Sequence, residues 1–356
     1  MREFEYRALP WNVIFGVGSL ARLPEELDKL GFARALILST PEQIEDAEKV
    51  ARLLASRGAG VFTRAVMHVP VETVEEARKE VGRLHADCTV SIGGGSTTGL
   101  GKALKLEDDL PNIAIPTTYA GSEMTNLWGV SEGGRKATGR DVKVVPNLTL
   151  YDPELTLSLP ARIAGPSGMN AMAHAVVNIG LKEPNPVVMM MAEQAIRSLS
   201  RSLPVVLREP KNIEARSETL YGVMFAGASL GTGLATLHHK LCHTIGGTFN
   251  TPHAETHAII LPHAVHYNAS AIPAATQRIA EALGVDEAAG GLFDLTGAVG
   301  APTSLKAIGM READLELATE QLLENHFSNP APLVRDGILA LLLDAFHGRR
   351  PGRRLG

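Results

Sequence analysis

Through about residue 150, short apolar runs alternate with helix-length amphipathic stretches; beyond that point the alternation stops. Arg34 to Ser39 (RALILS) reads as a compact buried strand, and Pro41 to Ser56 then repeats its apolar residues at helical spacing. Gly60 to Thr63 reads as a second strand, Cys88 to Ile92 (CTVSI) as a third and Asn112 to Ile115 (NIAI) as a fourth. Between the second and third, Val74 to Leu84 is a charged amphipathic helix, with Thr73 and Glu76 placed as a capping box at its start. Strands and helices alternating at this pitch predict a mostly parallel sheet covered by helices on both faces.

From about Asp152 the texture changes. Pro153 and Pro160 close the strand-rich part, and long helical patterns broken by Gly and Pro follow: Ala161 to Leu181, Val187 to Leu203, Asn212 to Leu237 and Lys240 to Gly246. The apolar stretch Ile338 to Leu343 reads as a buried helix near the end. The expectation is an α/β domain over 1–155 and an all-helical domain over 156–356.

Composition narrows the partners. The 356 residues are 45% hydrophobic and 21% charged, so two packed domains are expected and disorder is not. The net charge of −5, with both signs mixed, argues against nucleic acid as main partner. The one basic cluster, Arg349, Arg350, Arg353 and Arg354, reads as a solvated end. Two cysteines, Cys88 and Cys242, exclude a disulfide framework and suit a reducing compartment. With no signal-peptide pattern and no membrane-length apolar run, a cytoplasmic location without membrane attachment is expected.

Candidate chemistry gathers in three places. The strand CTVSI runs into Gly93-Gly94-Gly95-Ser96-Thr97-Thr98-Gly99 and then a helix, the arrangement in which glycines and helix-start N–H groups receive a pyrophosphate. Ser96 can add a hydrogen bond or cap the helix. The loop follows neither the usual G-x-G-x-x-G spacing nor a Walker A pattern, and a tight turn is the bland alternative. After the next strand, IPTTYAGSEMT offers Thr117, Thr118, Ser122 and Thr125 to phosphate, ribose or carboxamide groups at the same sheet edge. Phe15-Gly16-Val17-Gly18 is a further glycine pair and reads as a turn.

The third place is a histidine cluster. Eight of the twelve histidines fall between His174 and His266. Asn170 and His174 are four apart in a helical stretch, as are His239 and His243, so each pair shares a face. His253 follows in a loop after Pro252, and the flanks are apolar. Such a constellation can line a cleft or hold a metal.

Taken together, GGGSTTGLGK, IPTTYAGSEMT, GGRKATGRD, SGMNAMAHA and HHKLCHTIGGTFNTPHAETHAIILPH resemble the maleylacetate reductases, within the superfamily of iron-containing alcohol dehydrogenases. The resemblance runs from about Gly16 to NPAPLVRDGI. It implies an N-terminal dinucleotide-binding domain, a helical C-terminal domain (the dehydroquinate synthase-like fold), an active site between them, a homodimer, and a role in aromatic-compound catabolism. The superfamily's metal ligands, an Asp and three His, fall on Asn170, His174, His239 and His253. With Asn replacing Asp, no required metal is expected. The acid of the superfamily's GGGSxxD is likewise replaced, by Gly99. Val177 and Gly180 stand where relatives commonly carry Glu and Tyr, and Asn126 where Pro is commoner.

The reaction so implied is reduction of the maleylacetate double bond by NADH or NADPH, giving 3-oxoadipate, with substituted maleylacetates as further candidate substrates. His174, His239 and His243 are the expected contacts to the dicarboxylate, one of them supplying a proton, with His253, Asn170 and Tyr119 behind them. Ser39, Gly93, Gly94, Gly95, Ser96, Thr117, Thr118, Ser122, Thr125 and Lys136 are expected to serve the cofactor; Arg140, in the same GGRKATGRD segment, could also meet cofactor or substrate charge. No acid ends the first strand, where Ser39-Thr40-Pro41 stands, so use of both nicotinamides is expected. A metal-dependent alcohol dehydrogenase, a non-catalytic nucleotide-binding protein and, more distantly, a phosphate-eliminating cyclase are the competing readings.

Overall fold

The computed structural model describes residues 3–133, 135–181, 185–232, 236–324 and 326–352. They form two compact units, one of Ala8–Leu159, the other of Pro160–Gly356 together with Met1–Arg7.

Among the described residues the first unit holds eight strands, β1 (Val13–Phe15), β2 (Ala35–Leu38), β3 (Gly58–Phe62), β4 (Cys88–Gly93), β5 (Asn112–Pro116), β6 (Leu127–Glu132), β7 (Arg135–Arg140) and β8 (Leu148–Tyr151). Six of them make one parallel sheet in the order β1-β8-β5-β4-β2-β3, and β6 and β7 pair as a separate antiparallel hairpin. Four helices accompany the sheet, α1 (Leu23–Leu30), α2 (Ile44–Leu54), α3 (Val71–Leu84) and α4 (Gly95–Asp108). Successive side chains of β2 point to opposite faces. Ala35 and Ile37 pack with Leu23, Leu27, Ala47, Val50 and Leu54 of α1 and α2. Leu36 and Leu38 pack with Val74, Ala77, Leu100 and Leu104 of α3 and α4. Strands buried on both faces explain why their sequences are continuous apolar runs.

From β2 the chain moves to the β3 edge, and from β4 it moves the other way, to β5. The loops leaving the carboxyl ends of β2 and β4 therefore part at a topological switch point, where such sheets take their ligands.

Helix α3 corrects one expectation. It begins at Val71 with Pro70 as its N-cap and has no side-chain cap, so Thr73 lies inside the first turn and there is no capping box. Proline supplies a preset φ, and its carbonyl accepts from the N–H groups of Thr73 and Val74.

A buried lysine shapes the loop after β5. Lys102, on α4, is 2% exposed. Its Nζ donates to Ser122 O (2.6 Å), Thr125 O (2.7 Å), Leu127 O (2.9 Å) and Thr125 Oγ1 (3.0 Å). Burial pulls its pKa down to about 7, opposed by the charge of Glu123. Glu123 in turn accepts from Tyr151 Oη at 2.6 Å. Next to the lysine, Gly101 lets α4 lie close on the sheet, because a Cβ there would fall 2.3 Å from Ser91 Oγ and 2.5 Å from Asn112 Oδ1.

Among its described residues the second unit has helices and no strands, with α5 (Ala161–Ile179), α6 (Pro186–Arg208), α7 (Ile213–Thr232), α8 (Leu237–Phe249), α9 (His253–Asn268), α10 (Pro273–Leu283), α11 (Ala288–Ala298), α12 (Leu315–Glu324) and α13 (Arg335–His347). Ala164 to Ile179 of α5 is buried continuously, and its small residues let neighbours approach: a Cβ at Gly165 would fall 2.1 Å from Val299 O. Helix α6 runs past Leu203 and through Pro204 to Arg208, longer than its pattern predicts. The expected helix from Asn212 to Leu237 is two, α7 and α8, with 233–235 outside the described residues. The Ile338–Leu343 stretch lies in α13, whose Ile338, Leu341 and Leu342 join Leu241, Ile245 and Ile260 in a core. Of the basic tail, Arg350 is held by Asp294 (2.8 and 2.9 Å), Arg349 by Asp344 (3.0 Å), and Arg353 and Arg354 lie outside the described residues.

Replacing Lys102 by Met removes the one donor that these carbonyls share. Loss of stability on the order of 3 kcal/mol is expected, read as a lower urea midpoint. An unchanged midpoint would show that the loop holds its shape without the lysine.

Candidate functional site

In the α/β unit, three loops meet at the carboxyl edge of the sheet. After β4, Gly93 takes φ +144°, a conformation closed to other residues, and a Cβ there would fall 2.6 Å from Gln43 Oε1. A Cβ at Gly94 would fall 2.9 Å from Thr118 Oγ1. Gly95, exposed, is the first residue of α4 and leaves an open approach, its nearest neighbours being Ala120 Cβ (3.9 Å) and Ser122 Oγ (4.0 Å). Gly94 is the N-cap, so Ser96 is the second residue of the helix and not its cap. The N–H groups of such a first turn have no partner within the helix, and they face no side chain bulkier than hydrogen at 93–95. This cradle fits a dinucleotide pyrophosphate.

The other residues expected to serve a cofactor separate into two groups. Thr117 accepts from Gln43 Nε2 at 2.5 Å, which ties the loop after β5 to the start of α2. Ser122 Oγ is buried without a partner among the described residues. Thr118 is partly exposed. By contrast, Thr125 is fully engaged within the protein, donating to Ser122 O (2.9 Å) and accepting from Lys102. Ser39 is buried and donates to Thr40 O. Tyr119 is fully buried. Lys136 lies on β7, and its side chain is outside the described residues. Gln43 was missed by sequence reasoning, having no motif around it. The Gly16–Gly18 pair is a turn, its N–H groups at Gly18 and Leu20 both donating to the Asp152 carboxylate at 3.0 Å.

In the helical unit, six histidines stand together. Helix α5 brings His174 one turn from Asn170, each 6% exposed. The rings of His174 and His239 stack at 5.7 Å, and His243 lies 6.3 Å from His239, exposed at the surface. His253 is not in a loop as expected: it is the first residue of α9, with Pro252 as N-cap. That start places it one turn from His257, ring to ring at 4.3 Å.

His257 and His238 are the residues sequence reasoning missed. The ring of His257 also lies 4.9 Å from that of His238 and 5.2 Å from that of His239. The spacing His253-x-x-x-His257 was as legible as the other pairs. His238, adjacent to His239, is turned by about 100° from it on an ideal helix, and the return of α9 places the ring and carbonyl of His257 beside it.

Every buried ring here is pushed toward its neutral form. His174 falls to about 3, first through burial, then through the charges of His253 and His238. His238 falls to about 4, through burial, opposed by its bond to the His257 carbonyl. His239 and His257 fall well below the usual range, again through burial first. No carboxylate contributes to any of these four shifts. Asn170 Oδ1, His174 Nδ1, His239 Nε2 and both ring nitrogens of His257 are buried without a hydrogen-bond partner among the described residues. Unmade hydrogen bonds on this scale mark a place for a ligand.

Comparison with known proteins identifies the family. The chain matches the family model "Iron-containing alcohol dehydrogenase" over residues 10–153 and "Fe-containing alcohol dehydrogenase family, C-terminal" over 165–346. It is 53% identical to the maleylacetate reductase of Burkholderia cepacia, covering 99% of this chain and 100% of that protein. It is 49% identical to the maleylacetate reductase of Sphingobium indicum, covering 98% and 99%. Its fold superposes on the crystal structure of maleylacetate reductase from Agrobacterium tumefaciens with a TM-score of 0.95 at 46% identity, covering 99% and 100%.

The depressed histidines set a pH dependence. Each binds its proton in the unfolded chain near 6.5 but in the folded chain only near 3 to 4 for His174 and His238, so the unfolded state holds more protons between those limits. Stability is therefore full above about pH 6.5 and is expected to fall as pH drops from there toward 4. Urea midpoints measured across that range should decline with uptake of more than one proton on unfolding, and a flat profile would refute the neutral cluster.

Proposed function

We propose, for a chain that belongs to the iron-containing alcohol dehydrogenase family and within it to the maleylacetate reductases, that it reduces the carbon–carbon double bond of maleylacetate to give 3-oxoadipate. The chain is an oxidoreductase, which leaves the non-catalytic nucleotide-binding reading without support. The observation that carries the substrate assignment is a buried cluster of uncharged imidazoles with no acid contributing to it, a setting suited to a dianion.

Bound NADH or NADPH would supply a hydride to the alkene carbon β to the ketone. The protein's part is then to hold the two carboxylates, to stabilise the enolate oxygen that forms, and to deliver a proton to the carbon α to the ketone. His174, His239 and His243 are assigned to these tasks, with Asn170, His253 and Tyr119 as further candidates. On this reading the glycine cradle at 93–95, with Ser96, Thr117, Thr118 and Ser122, holds the dinucleotide, and Ser39, Thr125 and Lys136 support it. We further propose a homodimer in the cytoplasm serving aromatic-compound breakdown, with no nucleic acid or membrane partner. Among the described residues no helix is long and apolar enough to cross a membrane.

On this reading no resident iron is required. Asn170, His174, His239 and His253 form a neutral donor set, and a hard or borderline divalent cation loses much of its affinity when its carboxylate ligand becomes an amide. The second reading, a metal-dependent alcohol dehydrogenase, draws on the unpartnered Asn170 Oδ1, His174 Nδ1 and His239 Nε2, which could turn to a cation.

One assay separates the two. Protein stripped with chelator is mixed with NADH and maleylacetate, and the nicotinamide absorbance is followed. Rapid oxidation unaffected by chelator is expected; oxidation only after iron or zinc is restored would put the alcohol dehydrogenase reading first. The variant Asn170→Asp tests the same point from the other side. It should retain divalent metal through dialysis where the parent does not, and raise KM for the dicarboxylate about tenfold or more, the effect of one close like charge.

A further inference from the structure

We propose that His238 is a positioning residue that fixes the tautomer of His239, leaving the Nε2 lone pair of His239 open to the substrate. The inference rests on the substrate reading above and assigns a role to a residue outside the set that the family resemblance points to.

The argument follows the hydrogen atoms. His238 Nε2 lies 3.0 Å from the carbonyl oxygen of His257. A carbonyl only accepts, so this nitrogen carries hydrogen. His238 is 2% exposed and no carboxylate among the described residues pairs with it, so the ring carries a single hydrogen and its other nitrogen, Nδ1, is bare. That bare Nδ1 faces Nδ1 of His239 at 3.4 Å. Two lone pairs would repel there, so His239 Nδ1 carries the hydrogen and donates it. His239 is likewise buried, with no carboxylate pairing with it among the described residues, so it carries a single hydrogen and its bare atom is Nε2. Nε2 is the buried atom of His239 left without a partner among the described residues. The chain from backbone carbonyl to His238 to His239 thus ends in a single acceptor at the histidine cluster.

Two consequences follow. A proton arriving at His239 can land only on Nε2, and it then points where the substrate binds, not into the protein. The orienting group is also an uncharged ring. An aspartate in its place would fix the same tautomer but would make the imidazole more basic, whereas His238 orients without adding charge, and the resulting donor gives its proton up more readily.

The test is spectroscopic. Full-length enzyme labelled with ¹⁵N histidine is recorded by long-range proton–nitrogen correlation near neutral pH, where hydrogen-bearing and bare ring nitrogens resonate apart. His239 is assigned by its loss in His239→Gln. The parent should show His239 with hydrogen on Nδ1. His238→Leu, which removes the acceptor, should shift His239 toward a mixture of tautomers and lower kcat about tenfold or more with less effect on KM, the scale of a lost orienting partner. His238→Asn, whose amide oxygen can replace Nδ1 as acceptor, should restore the tautomer and most of kcat. A parent spectrum with hydrogen on His239 Nε2 overturns the proposal, as does a Leu variant that keeps the parent tautomer or an Asn variant that fails to restore it. Should the Leu variant not fold, the parent spectrum and the Asn variant decide. A parent with the expected tautomer but no turnover of maleylacetate would sink the substrate reading alone.

Discussion

An imidazole taken out of water, with no acid beside it, remains neutral, and the cost of charging it is met only when an anion comes to sit against it. The helical unit applies this constraint to several rings at once. Helix α5 supplies a buried surface of small residues, α8 sets His238 and His239 on adjacent faces, and α9, starting at His253, returns His257 into their midst. The rings also disfavour one another's protonation, so the cluster is poised to receive negative charge and reluctant to accumulate positive charge without it. Asn170 belongs to the same logic. An acid in its place would hold a cation or charge a neighbouring imidazole, and either would change what the cluster can bind.

The α/β unit meets a different demand, that of leaving backbone N–H groups open to approach. Its sheet parts at β2 and β4, and the chain there lacks side chains that would block the approach. What keeps the neighbouring loop in place is polar and internal: Lys102 on three carbonyls and a hydroxyl, Gln43 on Thr117, Tyr151 on Glu123.

Much of this was legible in the sequence. The strands β2, β4 and β5 appear as apolar runs because both faces are covered, and the glycine loop appears because nothing else tolerates φ +144° at Gly93. The i,i+4 pairs Asn170–His174 and His239–His243 mark helix faces directly. What escaped depends on tertiary return. Gln43 matters because β2 lies beside β4, and His238 because α9 passes over it; neither neighbour is near in sequence. The start of α3 was misplaced because a Thr–Glu spacing that suits a cap stands three residues inside a helix that proline had already begun. Pro204 was read as a stop although α6 continues beyond it.

The lysine that grips the 122–127 segment lies on α4, outside that segment. It holds the segment chiefly through main-chain atoms, which every amino acid possesses. The path of the loop is thus largely independent of its own side chains. Over evolutionary time, the Ser122 side chain could be exchanged while the track it rides on stays where it is.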